Sequence, residues 1–302
     1  MNSKFIGLTL ISVFFLMAFP SPSSGQEGLD RFDVSSSIDW VRGELTAQAS
    51  YDIVQAGIRL PTGRFLAEET LREAYPVLIM PHLFSIRVDS SSTIRNLVEQ
   101  GDISLDELDI LCREAGKITP NLSADLRRMT GRFTLPAGRI SSLLVRQRRP
   151  TEQAGPLIPV QTADYTGIII IADRELPVRG RRAAVLAEPC LFPRIWDTDM
   201  NLVYERNMTE AGRQGNTMIV QYTASESIFR PTPSGLEGEL AVLAGPNPLR
   251  IIAREVFGIF PSDPVIDRQD ALKILSSENN RRLLREGRVI LVLNEKTLKT
   301  AL

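Results

Sequence analysis

The chain has 302 residues, 43% of them hydrophobic, with 35 Lys and Arg against 36 Asp and Glu and a net charge of −1. That balance sets up no long-range field to gather nucleic acid or an anionic membrane surface. With two cysteines and one histidine the chain cannot build a structural zinc site unaided, while its length and apolar content suffice for one large or two ordinary domains.

The first segment reads as a leader. Lys4 precedes an apolar run from Phe5 to Phe19 and a tail of Pro20-Ser21-Pro22-Ser23-Ser24-Gly25, the three-part pattern of a secretory signal. The run is shorter than the roughly 20 apolar residues a membrane-spanning helix needs. Cleavage after Gly25 is expected, with an uncleaved N-terminal anchor as the alternative. Export to the periplasm or medium follows, and later apolar runs such as 168–172 are too short to span.

Residues 38–51, with Trp40, Gly43-Glu44-Leu45, Ala47 and Ala49, suggest a strand or hairpin. The spacing of Phe65, Leu66, Leu71, Ala74 and Tyr75 predicts a helix over 63–75. Pro76 should end or kink it, because an interior proline costs about 3 kcal/mol. Ser104-Leu105-Asp106-Glu107 has the form of a capping box. It opens a helix with Leu105, Leu108, Leu111, Cys112 and Ala115 on one face and Gly116 as its stop. Residues 133–145 read as strand. Pro150, Gly155-Pro156 and Pro159 interrupt any pattern over 145–163, the best linker.

Beyond it, Gly167-Ile168-Ile169-Ile170-Ile171 lies in a buried strand over 165–172. Strands over 201–205 and 216–222, a Pro/Gly loop over 231–248 and an apolar stretch of ambiguous period over 249–257 follow. Asp267 can cap a helix through Ala271, Ile274 and Leu275, and a second short helix carries Leu283 and Leu284 up to Gly287. Val289-Ile290-Leu291-Val292-Leu293 supplies a closing strand over 288–293. The order predicts an α+β fold of two small mixed α/β domains: a signal peptide over 1–25, an N-terminal α+β domain over 26–145, a linker over 146–163 and a strand-rich C-terminal domain over 164–302.

Chemistry is sparse. Catalysis of the Ser-His-Asp or Cys-His type needs a histidine base, and the one histidine, His82, sits in an apolar stretch that suits a structural role. Cys112 and Cys190 could pair in an oxidising compartment. Their apolar settings in different domains instead favour two buried free thiols. Asp197-Thr198-Asp199-Met200-Asn201 opens like a calcium loop, but Leu202 and Met208 stand where it needs glycine and glutamate. An acidic β-turn is the better reading. Gly235, Gly238 and Gly245 lack phosphate-cradling spacing. The arginine clusters at 146–149, 179–182 and 281–282 read as solvated faces. Asn121-Leu122-Ser123 and Asn207-Met208-Thr209 are glycosylation sequons. No catalytic, cofactor-binding or metal residue is assigned, and no cofactor is expected.

Two segments carry a family resemblance. Ile38-Asp39-Trp40, with the helix around Ala67-Glu68-Glu69-Thr70-Leu71-Arg72-Glu73-Ala74-Tyr75, resembles the N-terminal module of bacterial envelope proteins related to flagellar assembly protein T and the small surface lipoproteins grouped with it. Tyr165 to Ile170, Pro193-Arg194-Ile195-Trp196-Asp197 and Val203-Tyr204 look like the segment that accompanies the module in longer periplasmic members. Asp270-Ala271-Leu272-Lys273-Ile274-Leu275 and the closing strand are similar to their last βαβ-like unit. The resemblance implies a non-catalytic binding or assembly protein that docks onto envelope components, in some relatives the flagellar basal body. Pro76 interrupts a helix that relatives continue, and a lipobox cysteine is lacking, so lipid tethering does not carry over. Docking through an exposed apolar patch or sheet edge is the expected mechanism. The alternatives are a periplasmic small-ligand-binding protein and a secreted hydrolase using a carboxylate pair.

Overall fold

A computed structural model describes residues 31–146, 149–210, 218–224 and 238–302. The signal peptide expected over 1–25 lies outside the described residues, as do parts of the strand expected over 216–222 and of the loop over 231–248.

The chain opens with a hairpin of β1 (Phe32–Asp39) and β2 (Glu44–Asp52), in register from Phe32–Tyr51 to Asp39–Glu44. Its reversal is set by Asp39, whose Oδ1 accepts from the N–H groups of Val41 (3.1 Å) and Arg42 (3.0 Å), a side-chain mimic of a backbone turn. Helix α1 (Arg64–Phe84) follows and continues past Pro76 and Pro81, so neither proline ends it. Its buried stripe, Ala67, Leu71, Tyr75, Leu78, Ile79 and Leu83, continues on both sides of Pro76. Packing of that face offsets the lost backbone hydrogen bonds. The stripe also has a different phase from the one expected. Phe65 and Leu66 are 73% and 59% exposed, and the small Ala67 takes the buried place.

After α2 (Ile94–Glu99) comes α3 (Leu105–Ala115). Its capping box forms as expected: Ser104 Oγ accepts from Glu107 N (3.2 Å) and the Glu107 carboxylate from Ser104 N (2.8 Å). Leu108, Leu111 and Cys112 are buried, whereas Leu105 is half exposed. Gly116 closes α3, for a reason the sequence does not show. A Cβ there would lie 2.2 Å from the Phe133 ring. Strands β3 (Lys117–Leu122) and β4 (Arg128–Pro136) lead to α4 (Ala137–Leu144). The strand expected over 133–145 therefore stops at Pro136, which cannot donate to the ladder and instead serves as the N-cap of α4.

The second module runs through β5 (Ile168–Ala172), β6 (Glu175–Pro177), β7 (Ala184–Leu186), β8 (Ile195–Asp197), β9 (Leu202–Tyr204) and β10 (Gln221–Ala224). It continues with α5 (Gly238–Ala244), β11 (Leu249–Ile252), β12 (Glu255–Phe257), β13 (Asp263–Ile266), α6 (Arg268–Leu275), α7 (Glu278–Arg285) and β14 (Val289–Leu293). A parallel sheet in the order β10-β14-β5-β11 lies beside a mixed sheet in the order β12-β13-β8-β9. The two central strands, β5 and β14, are apolar at successive positions because both of their faces are covered. Ile168, Ile170, Leu291 and Leu293 face the main core, while Ile169, Ile290 and Val292 pack with Ala244 of α5 on the other side. Asp267 caps α6 by accepting from Gln269 N at 2.9 Å, as expected.

β14 does not close the chain. Helix α8 (Glu295–Leu298) carries it back to the first module, where β15 (Lys299–Ala301) pairs antiparallel with β1 at Ser37–Ala301, Ile38–Thr300 and Asp39–Lys299. The first sheet thus reads β15-β1-β2-β4-β3. One continuous buried core extends from Phe32 in the first module to Leu293 in the second. The connector is fastened along the second module, with Thr151 N donating to Asn207 O (2.7 Å), Val160 N to Ser276 Oγ (2.9 Å) and Tyr165 N to Asn280 Oδ1 (2.9 Å).

Candidate functional site

The residues that drew chemical attention in the sequence are spread through the fold. His82 lies in the last turn of α1 with Nδ1 3.2 Å from the Leu302 carbonyl oxygen, so it fastens the end of the chain. Cys112 and Cys190 are buried free thiols. Burial pushes the Cys112 thiol up to about 12 and raises that of Cys190 as well. A thiolate nucleophile is therefore scarce at neutral pH. Asp197 anchors the acidic turn expected there. Its Oδ1 accepts from Asp199 N (2.9 Å) and Asn201 N (2.8 Å), and its Oδ2 accepts from the Asn201 amide (2.8 Å). Gly245 sits in a turn beside Thr166 and Gly238 begins α5; Gly235 lies outside the described residues. Among the described residues no group of three His, Cys, Asp or Glu is placed to hold a metal ion.

The seam between the modules is built from backbone and charge together. Leu191 N donates to Arg87 O (3.1 Å), Phe192 N to Val88 O (2.8 Å) and Phe260 N to Ser90 O (2.9 Å). At its other side Trp40 meets Tyr222 edge-on at 5.8 Å, and the Gln221 amide donates to Val41 O at 2.7 Å. Asp89 organises its own loop. Its Oδ1 accepts from the backbone N–H and hydroxyl groups of Ser91 and Ser92, each at 2.9 Å, and its Oδ2 faces Arg194 Nη2 at 3.3 Å. Burial works to raise its pKa, but these donors and the guanidinium outweigh burial and hold the carboxyl below its ordinary value. Asp263, fully buried, leans the other way. Burial raises it, although Arg194 N (3.0 Å) and the Trp196 indole (3.2 Å) donate to it.

Beside this seam, the loop around Ser90, the β6–β7 turn and the β12–β13 connection enclose a cleft of about 260 Å³. The loops approach closely because Gly258 (φ 117°) has no Cβ, which would fall 2.4 Å from that of Ser90. Arg179, Arg181 and Arg194 line the cleft with Phe257 and Ile259. Arg179 pairs with Glu255 at 2.9 Å and Arg194 with Asp89. Arg181 uses its backbone N–H to close the turn on Val178 O (2.9 Å), and among the described residues its guanidinium has no carboxylate partner.

The opposite end of the first module has another character. Tyr51 donates to Ala67 O (2.8 Å) and Ile53 N to Arg127 O (2.9 Å). These bonds gather the end of β2, the start of α1 and the β3–β4 turn into one tip. Four large apolar side chains on it face solvent: Val54 (56%), Phe65 (73%), Leu66 (59%) and Leu126 (56%). Exposed Arg59, Arg64, Arg127 and Arg128 neighbour them in the chain, with the Asp52 and Asp125 carboxylates beside Arg127. Since α1 leads from this tip to the seam, the two ends stand roughly 30 Å apart at 1.5 Å per helical residue.

Residues 31–143 match the family model of the N-terminal domain of Treponema pallidum Tp0624. Residues 167–295 match the model of that protein's second domain. The chain is similar to both, in the same order. The first match runs from β1 into α4 and the second from β5 into α8, so β15 lies beyond both. No curated protein matches the chain.

Sequence reasoning placed neither the cleft nor the tip. In the sequence Arg179 and Arg181 read only as members of a basic cluster, and the spacing puts Phe65 and Leu66 on one stripe with Leu71 and Tyr75. A stripe drawn through Ala67 rather than its larger neighbours would have left both outside.

Proposed function

We propose that this protein is a non-catalytic binding or assembly protein of the bacterial cell envelope, exported by its leader, that docks a partner protein through the apolar tip of its first module. The exposure of Phe65 beside Leu66, Val54 and Leu126 carries the reading. Scattered apolar residues are ordinary on a surface, but a group of large ones, rimmed by polar groups, marks an interaction site. Two of the rim arginines are engaged within the chain, Arg64 with Glu68 at 3.0 Å and Arg128 with Asp33. Arg127 lies beside the Asp52 and Asp125 carboxylates of its own chain, which leaves Arg59 to fit a carboxylate at the border of the partner's apolar patch. The family resemblance makes flagellar basal-body and other envelope-assembly proteins the first partners to look for.

The test is in-cell cross-linking from a photoreactive residue at position 65, with exposed position 250 of β11 as the comparison. A cross-link to an envelope-assembly component from position 65, lost in Leu66→Asp and absent from position 250, is the expected result. Recovery of the protein alone would overturn the proposal, as would cross-linking to lipid.

A further inference from the structure

The cleft at the seam is chemically unlike the tip. Its lining carries three guanidinium groups and no carboxylate. Glu255 offsets Arg179 and Asp89 offsets Arg194 from behind the lining, leaving Arg181 uncompensated. Asp263 is sealed behind the Arg194 backbone and the Trp196 indole and does not reach the opening. One formal positive charge therefore faces the space. The opposite wall is apolar: Ile259 is 64% exposed, and Phe257 is braced edge-on by Trp196 at 6.1 Å and 74°. At about 30 Å³ per water, a volume of about 260 Å³ corresponds to about nine waters, space for a molecule of similar heavy-atom count.

We propose that this cleft binds a small organic acid, its single carboxylate held by Arg181 and its short apolar stem lying against Phe257 and Ile259. A guanidinium fork matches a carboxylate in shape as well as charge. Arg179 and Arg194, already satisfied, fix the walls and give the field its sign. The site joins residues of both modules, Ser90 and Ser91 from the first and the remainder from the second, so an occupied cleft draws the two together.

Hexanoate is the probe, titrated into the full chain and followed by intrinsic tryptophan fluorescence and calorimetry, with hexanol and hexyl phosphate as comparators. Saturable hexanoate binding is expected, with a dissociation constant on the order of 1 mM for so small a ligand, and no saturation by hexanol. Arg181→Gln should weaken binding on the order of tenfold or more without moving the thermal midpoint, since the side chain is exposed. Arg250→Gln should leave binding unchanged. Absence of saturation, equal binding by Arg181→Gln, or hexyl phosphate binding about tenfold tighter than hexanoate would each overturn the proposal.

Discussion

Tyr75 shows how one side chain can hold a helix and a sheet in a fixed relation. Its hydroxyl accepts from Ala49 N at 3.3 Å and donates to Gly131 O, two residues that face each other across β2 and β4. Its ring stacks on Phe133 at 5.3 Å. Burial pushes its phenol up to about 12, so the hydroxyl remains a donor throughout the physiological range. Tyr75→Phe keeps the ring and removes the hydrogen bonds that its hydroxyl makes to the two strands. It should lower unfolding free energy by about 1 kcal/mol, the net worth of a typical hydrogen bond, as measured by urea denaturation. Unchanged stability would show that water replaces the hydroxyl. The sequence marked Tyr75 as a core residue by spacing alone; its partners belong to strands far away in the chain, which periodicity does not report.

At the scale of elements, the legible features were those decided locally. Ser104 and Asp267 act within three residues of themselves, and each caps the helix that its position in the sequence suggests. Ser104→Ala should therefore cost about 1 kcal/mol through loss of the cap, seen as a lower urea midpoint with an unchanged slope; Ser104→Gly should cost less. The illegible features were those decided by tertiary packing. The α1 stripe carries the helix through two prolines because the sheet beneath it remains in contact, and it buries Ala67 rather than Phe65 because a small residue lets the first turn approach Tyr51. The cleft is illegible for the same reason. Ser90, Arg181 and Gly258 are joined only by folding, and the role of Gly258 is to accommodate Ser90.

For the whole molecule, the seam decides whether the two modules behave as one body. Two acids there, half-buried Asp89 and buried Asp263, respond to pH in opposite directions. Asp89 is held below the ordinary aspartate value of about 3.9. Its contribution to stability is therefore present above that value and lost as pH falls through its lowered pKa. Asp263 is raised, so the folded state holds its proton more tightly than the unfolded chain and its ionisation weakens folding as pH rises above about 3.9. Asp89→Asn should accordingly destabilise the protein at neutral pH, with a difference from wild type that shrinks as pH drops below about 3.9. Thermal midpoints of both proteins across an acid series check this. A difference that stays constant with pH would place the role of Asp89 in its loop rather than in its charge.

The return of β15 to β1 has a consequence in time. Ser36 and Leu302, joined by a backbone hydrogen bond of 3.1 Å, stand at opposite ends of the folded sequence, and contacts between such distant residues form late. A chain made from its N-terminus presents β1 long before its partner emerges. Until then the outer edge of β1 is an open template for any extended segment nearby, and Trp40 lacks the Thr300 hydroxyl that meets its indole at 3.2 Å. The first sheet becomes whole only when β15 arrives, long after β1 has been made.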